Sequence, residues 1–363
     1  MHSVLDISEL VGRVVQSLDK LDDVAACALV ARKWAYPAQS RLFSDILIRA
    51  PHRQLPRLLD VFEQSPHLPT FVVTLAIQSI QYWQPAYFER LSNIVYPNLT
   101  GLYIASAQDL PGTPVVVEFF RRMLSIPALA SVTMHYGFRT PEPYFDIWQN
   151  CSQNIRHLYL THNPHYSGSS PTHSSPRTKH RRVVLDSIVE PRHMLTWLND
   201  PRCPFDVSKV RAIQVSYHTG VPWSPDFLAA AQTTVEIISY QAWFSGDLSP
   251  FTQINQLDVS SGTLAHGIGV IQTISAPTRS RIRAIRFCMT SMELPPHQDL
   301  GKLVFEIVDL LPNLKVVVVL NHVCTPELTK GATEYVPFGP GVKVQWHFNA
   351  QKAPLWHVPI RVD

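Results

Sequence analysis

One spacing of apolar residues recurs along most of the chain: an apolar position, two residues, a second, one residue, a third. It runs through Val72, Leu75 and Ile77, then Leu99, Leu102 and Ile104, then Leu129, Val132 and Met134, then Ile155, Leu158 and Leu160. After a gap it returns at Val210, Ile213 and Val215, at Val235, Ile238 and Tyr240, at Ile254, Leu257 and Val259, at Ile282, Ile285 and Phe287, and at Leu314, Val317 and Val319. The first positions lie 27, 30, 26, 55, 25, 19, 28 and 32 residues apart. The longest interval has room for one irregular repeat, near 183–189. Alternation in the second half of each set marks a short strand with one buried face. Helical stretches such as 115–124, 194–198 and 300–311 lie between the strands. Strand plus helix at this period predicts an α/β solenoid with a parallel sheet, each repeat covering the next.

Ahead of the repeats the period changes to that of a helix. Ile7, Leu10, Val11, Val14, Val15 and Leu18 fall on one face. Asp6 stands three residues before Glu9 as a capping pair, with Leu5 and Leu10 placed to close over the turn. A second helix is expected over 22–33, with Asp22 as its cap. Its middle, 24–31, is apolar on every side, and such a helix has to be covered all round. That asks for a partner surface. Trp34 follows, and Pro37 is placed to open a short third helix to about residue 43. Phe43, Ile46 and Ile48 approach a first strand. Residues 51–65 then read as a helix through Leu55, Leu58, Leu59 and Phe62.

Glu9, Leu10, Val14, Leu18, Leu29, Val30, Arg32, Trp34, Leu42 and Phe43 together resemble the F-box pattern: Glu-Leu, an apolar helix, Leu-Val-x-Arg-x-Trp, then Leu-Phe. The chain departs from it at Ile7, where the family has proline, and at Ala31, where it has cysteine. The resemblance implies docking on the Skp-family adaptor of a cullin-RING ubiquitin ligase, with Leu10, Val14, Leu18, Leu29, Val30 and Trp34 as the contact residues. The repeats resemble the divergent leucine-rich repeats behind F-boxes, notably in fungal F-box proteins. This implies a three-helix module over 1–48, a curved leucine-rich-repeat solenoid over 49–322, and a C-terminal cap over 323–363, where Val342, Val344 and Trp346 alternate and Trp356 and Ile360 follow. The family's asparagine, three residues after the last apolar position, occurs only as Asn163. Two plainer readings stand beside these: a helical cap on the following domain, and a generic α/β domain.

In the repeat register, residues between the apolar strand positions point to the concave face. These are Tyr103, Thr133, His135, His157, Tyr159, Gln214, Gln241, Asp258 and Arg286, and their aromatic, amide and imidazole side chains suit a protein ligand.

Composition narrows the rest. A net charge of +3 over 363 residues gives no electrostatic case for nucleic acid. Cys27, Cys151, Cys203, Cys288 and Cys324 are scattered and form no Cys-x-x-Cys, which points to reduced thiols in the cytoplasm or nucleus. No secretory segment and no membrane span is expected. Residues 164–182 are rich in serine and basic side chains and read as a solvated loop, with Ser175-Pro176 a candidate phosphorylation site. Gly267-Ile268-Gly269 falls short of a dinucleotide fingerprint. His162, His165, His173 and His180 have no spacing that shares a helix face. No catalytic residue, metal or cofactor is expected. The reading is a substrate receptor for an unknown protein substrate. The alternative is a leucine-rich interaction scaffold with no ligase role.

Overall fold

A computed structural model describes residues 8–49, 54–105, 110, 112–135, 138, 141–160, 183–189, 203–215, 225–241, 248, 250–261, 264–289, 305–321, 337–338 and 342–348. The chain forms two compact units, Met1–Val183 with Arg202–Pro204, and Val184–Pro201 with Phe205–Asp363. The expectations for Asp6, Ile7, 164–182, 194–198, the loop histidines, Cys324, Trp356 and Ile360 lie outside the described residues.

The first unit opens with α1 (Ser8–Ser17), α2 (Leu21–Val30) and α3 (Arg32–Ser44). They close over a small core of Val11, Val15, Val24 and Ala38, with Leu18, Cys27, Ala28, Trp34 and Leu42 packed against it. The helix boundaries differ from those expected. Asp22 lies inside the first turn of α2, where its charge complements the helix dipole, and Lys20 occupies the cap position with no side-chain bond. The second helix stops at Val30, because Ala31 is extended. The Ala31 carbonyl accepts the Trp34 N–H (2.9 Å) and the Ala35 N–H (3.3 Å), which starts α3 there. Pro37 is therefore inside α3 and does not open it.

Then come β1 (Asp45–Ile48), α4 (Gln54–Gln64), β2 (Thr74–Ile77), α5 (Pro85–Ser92), β3 (Gly101–Ala105), α6 (Pro114–Leu124), β4 (Ser131–His135), α7 (Pro141–Trp148) and β5 (His157–Leu160). The strands pair in parallel in chain order. One row across the sheet is Ile46, Leu75, Leu102, Val132 and Leu158, and the next inward row is Ile48, Ile77, Ile104, Met134 and Leu160. Of these ten residues Ile46 alone is not fully buried. Phe43, Ile46 and Ile48 carry the same spacing as the later repeats, so the sheet begins inside the expected helical module.

The second unit holds β6 (Val183–Val184, at its border), β7 (Ser187–Val189), β8 (Phe205–Asp206), β9 (Ala212–Val215), α8 (Pro225–Ala231), β10 (Ile237–Gln241), β11 (Gln256–Ser261), α9 (Leu264–Thr273), α10 (Ala276–Arg279), β12 (Ala284–Met289), a helical turn at 305–310, β13 (Val316–Asn321), β14 (Pro337–Phe338) and β15 (Val342–Phe348). The irregular repeat is present: β7 pairs in parallel with β9, and Leu185 and Ile188 are buried. At the other end β15 continues the parallel pairing against β13, and β14 returns antiparallel to β15.

The repeats are stitched by main chain. The carbonyls of Val73, Thr100, Ala130, Asp186, Arg211, Glu236, Asn255 and Arg283 each accept two successive N–H groups from the next repeat, at 2.8 to 3.2 Å. Asparagines add to this, but in a different slot from the one expected. Asn98, Asn154 and Asn313 each precede the first apolar residue of a repeat and donate to the carbonyls of Thr70 (2.6 Å), Pro127 (2.8 Å) and Ser280 (2.6 Å). Gly267 has a packing role: a Cβ there would lie 2.6 Å from the Phe287 ring. Its missing side chain lets α9 lie against β12.

Candidate interaction surfaces

The amphipathic pattern of α1 turns Val11 and Val15 inward, and the three-helix core is too small to cover α2. Only Val24 of that helix is buried. Leu29 is 88% exposed and Val30 69% exposed. Leu21 and Tyr36 are also open, and Val14 is largely so. The six residues expected to contact an adaptor thus divide. Leu18 and Trp34 pack on the inner core, Leu10 is half-buried, and Val14, Leu29 and Val30 face solvent. A groove of about 660 Å³ between α1 and α3 is lined by Glu9, Tyr36, Pro37 and Arg41, among others. The Arg41 guanidinium donates to the Leu18 carbonyl at 3.0 Å.

On the outward sheet face of the first unit, Tyr103, Thr133 and Tyr159 occupy one row across β3, β4 and β5. Neighbouring strands are about 4.8 Å apart, so the small Thr133 leaves an opening between the two tyrosines. His135, two residues further along β4, fills it. Its ring centroid lies 5.2 Å from that of Tyr103 and 5.0 Å from that of Tyr159. Both pairs are inclined, as aromatic quadrupoles prefer. His157 stands one row away, level with Ser131. Partial burial pushes the Tyr103 hydroxyl pKa up. Sequence register therefore brings Tyr103, His135 and Tyr159 into contact, with His157 beside them.

The same face of the second unit departs from expectation. Gln214, Ser239, Asp258 and Arg286 form one row across β9 to β12, and all four are buried. Gln214, Asp258 and Arg286 are thus not an open concave surface. Burying a charge is costly unless it is paired and hydrogen-bonded. Asp258 meets that demand: its carboxylate accepts from Arg286 Nη1 (3.1 Å), Gln256 Nε2 (2.9 Å) and Ser239 Oγ (3.2 Å). Burial still pushes the Asp258 carboxyl up to about 6, against the opposing pull of Arg286, Gln256 and Ser239. Gln241 lies in β10, level with Ser260 of β11. The cue was present in the sequence as opposite charges at one repeat position, Asp258 and Arg286, flanked by small or amide residues.

Among the described residues no three His, Cys, Asp or Glu side chains converge as a metal site, and no helix is long and apolar enough to cross a membrane. Burial pushes the Cys151 thiol up to about 12, which leaves it without nucleophilic character at neutral pH.

No protein-family model matches the chain, and no curated protein matches it. Among solved structures, the leucine-rich repeat-containing protein LegL7 from Legionella pneumophila is similar over 76% of this chain and 81% of its own, at 11% identity and a TM-score of 0.40. The repeat architecture itself is read from the strand register.

Proposed function

We propose that the chain is a substrate receptor of a Skp-cullin-F-box type ubiquitin ligase, with the N-terminal helices binding the adaptor and the sheet face of the first unit holding a protein substrate. The observation that carries this reading is the open apolar surface of α2 around Leu29 and Val30, where the F-box-like residues stand. Water contact at two adjacent large apolar side chains is relieved by a partner helix or groove. The chain would do no covalent chemistry. Its contribution would be proximity, which raises the effective concentration of substrate lysines at the ligase.

Co-expression with a Skp-family adaptor tests the reading. The native chain should co-purify with it, and the double variant Leu29→Asp/Val30→Asp should not. Both side chains are exposed, so the variant should keep its melting temperature, since surface changes usually stay within about 0.5 kcal/mol. Adaptor binding that survives the double change would sink the receptor reading. The second reading, an interaction scaffold without a ligase role, is favoured by the Tyr103–His135–Tyr159 cluster, which does not depend on the helices. In that case partners captured by the native chain would be retained by the Leu29→Asp/Val30→Asp variant, and no adaptor would be found with either.

A further inference from the structure

In three successive repeats of the second unit, a buried apolar residue just before the strand is straddled by two exposed ones. Ile254 lies between Gln253 and Asn255, Ile282 between Arg281 and Arg283, and Leu314 between Asn313 and Lys315. The flanking side chains line an open groove of about 550 Å³. The stitching bonds fix their order. Arg283 N–H donates to the Asn255 carbonyl and Lys315 N–H to the Arg283 carbonyl, each at 2.8 Å. Arg283 and Lys315 therefore stand immediately before the neighbouring strands β12 and β13, which run about 4.8 Å apart. Arg281 is two residues upstream of Arg283, on the same side of the buried Ile282.

Three cations thus share one groove. None of them has a side-chain ion pair, and no carboxylate lines the groove, among the described residues. Two other arginines of the fold are matched, Arg90 by Asp60 and Glu63 and Arg211 by Glu236, all at 2.7 Å, and exposed arginines such as Arg57 stand singly, whereas here three cations line one groove. Like charges left together repel, and a bound anion relieves that repulsion. Arg281 and Arg283 offer planar forks suited to paired oxygens, with Gln253 and Asn255 beside them as amide donors.

We propose that this groove binds a negatively charged segment of another protein, one bearing carboxylate or phosphorylated side chains. A nucleic-acid strand fits less well. It needs cations continued along its path, whereas the next position of the rim, one strand beyond Asn255, is Glu236. The site belongs to the second unit and the three helices to the first, and the proposal does not rest on adaptor binding.

The test uses the purified full chain and fluorescence anisotropy. Probes are a labelled Glu-rich peptide, its phosphoserine counterpart, its neutral Gln counterpart, and an oligothymidine strand. Binding of the Glu-rich or the phosphoserine peptide, weakened by added salt and absent with the Gln peptide, is expected. The comparison of the first two peptides tells carboxylate from phosphate recognition. Arg283→Ala should weaken binding about tenfold, and reversing Arg281, Arg283 and Lys315 to Glu should abolish it. Arg57→Glu, an exposed change on α4, should leave it intact. Circular dichroism should report a folded chain throughout. Failure of the native chain to bind either acidic peptide would overturn the proposal. So would full binding by the triple variant, equal loss in Arg57→Glu, or tighter binding of the oligonucleotide.

Discussion

Arg286 is the only cation shown against the buried Asp258 carboxylate among the described residues, and removing it should expose what that burial costs. Arg286→Met leaves a buried charge uncompensated, a loss of about 3–5 kcal/mol near neutral pH. The Asp258 carboxyl already titrates above its ordinary range, at about 6. Without Arg286 it rises further. A carboxyl whose folded value exceeds its unfolded one stabilises the fold below the unfolded value, and that stability is lost as pH rises through the folded value. Urea midpoints of Arg286→Met should therefore recover, relative to the native chain, as pH falls from neutral toward 5, because a protonated Asp258 needs no cation. A constant difference across that range would show that Asp258 does not carry the strain. In the first unit, Leu158→Ala should cost about 2–5 kcal/mol through transfer and cavity terms. Tyr159→Ala, one residue on, should cost about 1 kcal/mol or less. The reverse order would mean the strand register is off by one. These inward positions were legible because strand alternation is a property of the backbone. Whether the outward face is open or covered was not legible. Tyr159 and Asp258 occupy equivalent positions, yet one is half-buried and the other fully buried, a difference that strand alternation does not carry.

Among the elements, α9 and β12 touch where Gly267 meets Phe287. Gly267→Ala should force the ring aside and cost about 1–3 kcal/mol. Phe287→Leu in the same chain should make that penalty smaller, a non-additivity readable from denaturant midpoints in a double-mutant cycle. Additive costs would mean the helix moves instead of the ring. Asn313→Ala should remove about 1 kcal/mol through loss of its bond to the Ser280 carbonyl, and Asn98→Ala should behave likewise. The repeat strands were readable because three buried apolar residues recur at a fixed spacing. The stitching asparagines were not found, since they stand before the first apolar position, whereas the family pattern directs attention beyond the last. The end of α2 was not readable at all. Ala31 carries neither the proline nor the glycine that marks a break, and Pro37, a familiar helix opener, sits inside α3.

At the scale of the whole molecule, each unit is a row of repeats that touch mainly their neighbours, so stability should spread from a lesion only a short way. Leu102→Ala, in β3, should raise amide exchange in β2, β3 and β4 well before it does so in β11 and β12. Uniform acceleration measured by mass spectrometry would instead show one cooperative body. Sequence alone carried this level furthest, including the irregular repeat at 183–189, because a parallel stack needs only a recurring buried ridge. Phe43, Ile46 and Ile48 read as the approach to a first strand, and β1 follows α3 directly there, so the stack begins ahead of the triplet at Val72. The paired bonds to each stitching carbonyl also constrain how such a gene can change. The stretch from Thr100 to Ala130 begins and ends at equivalent carbonyls, so copying or excising it rejoins the ladder without a gap. A cut made halfway leaves one carbonyl and two amide hydrogens of the ladder unmatched. Added residues between strands should therefore leave the ladder intact, whereas length along the stack should be gained or lost only by whole repeats.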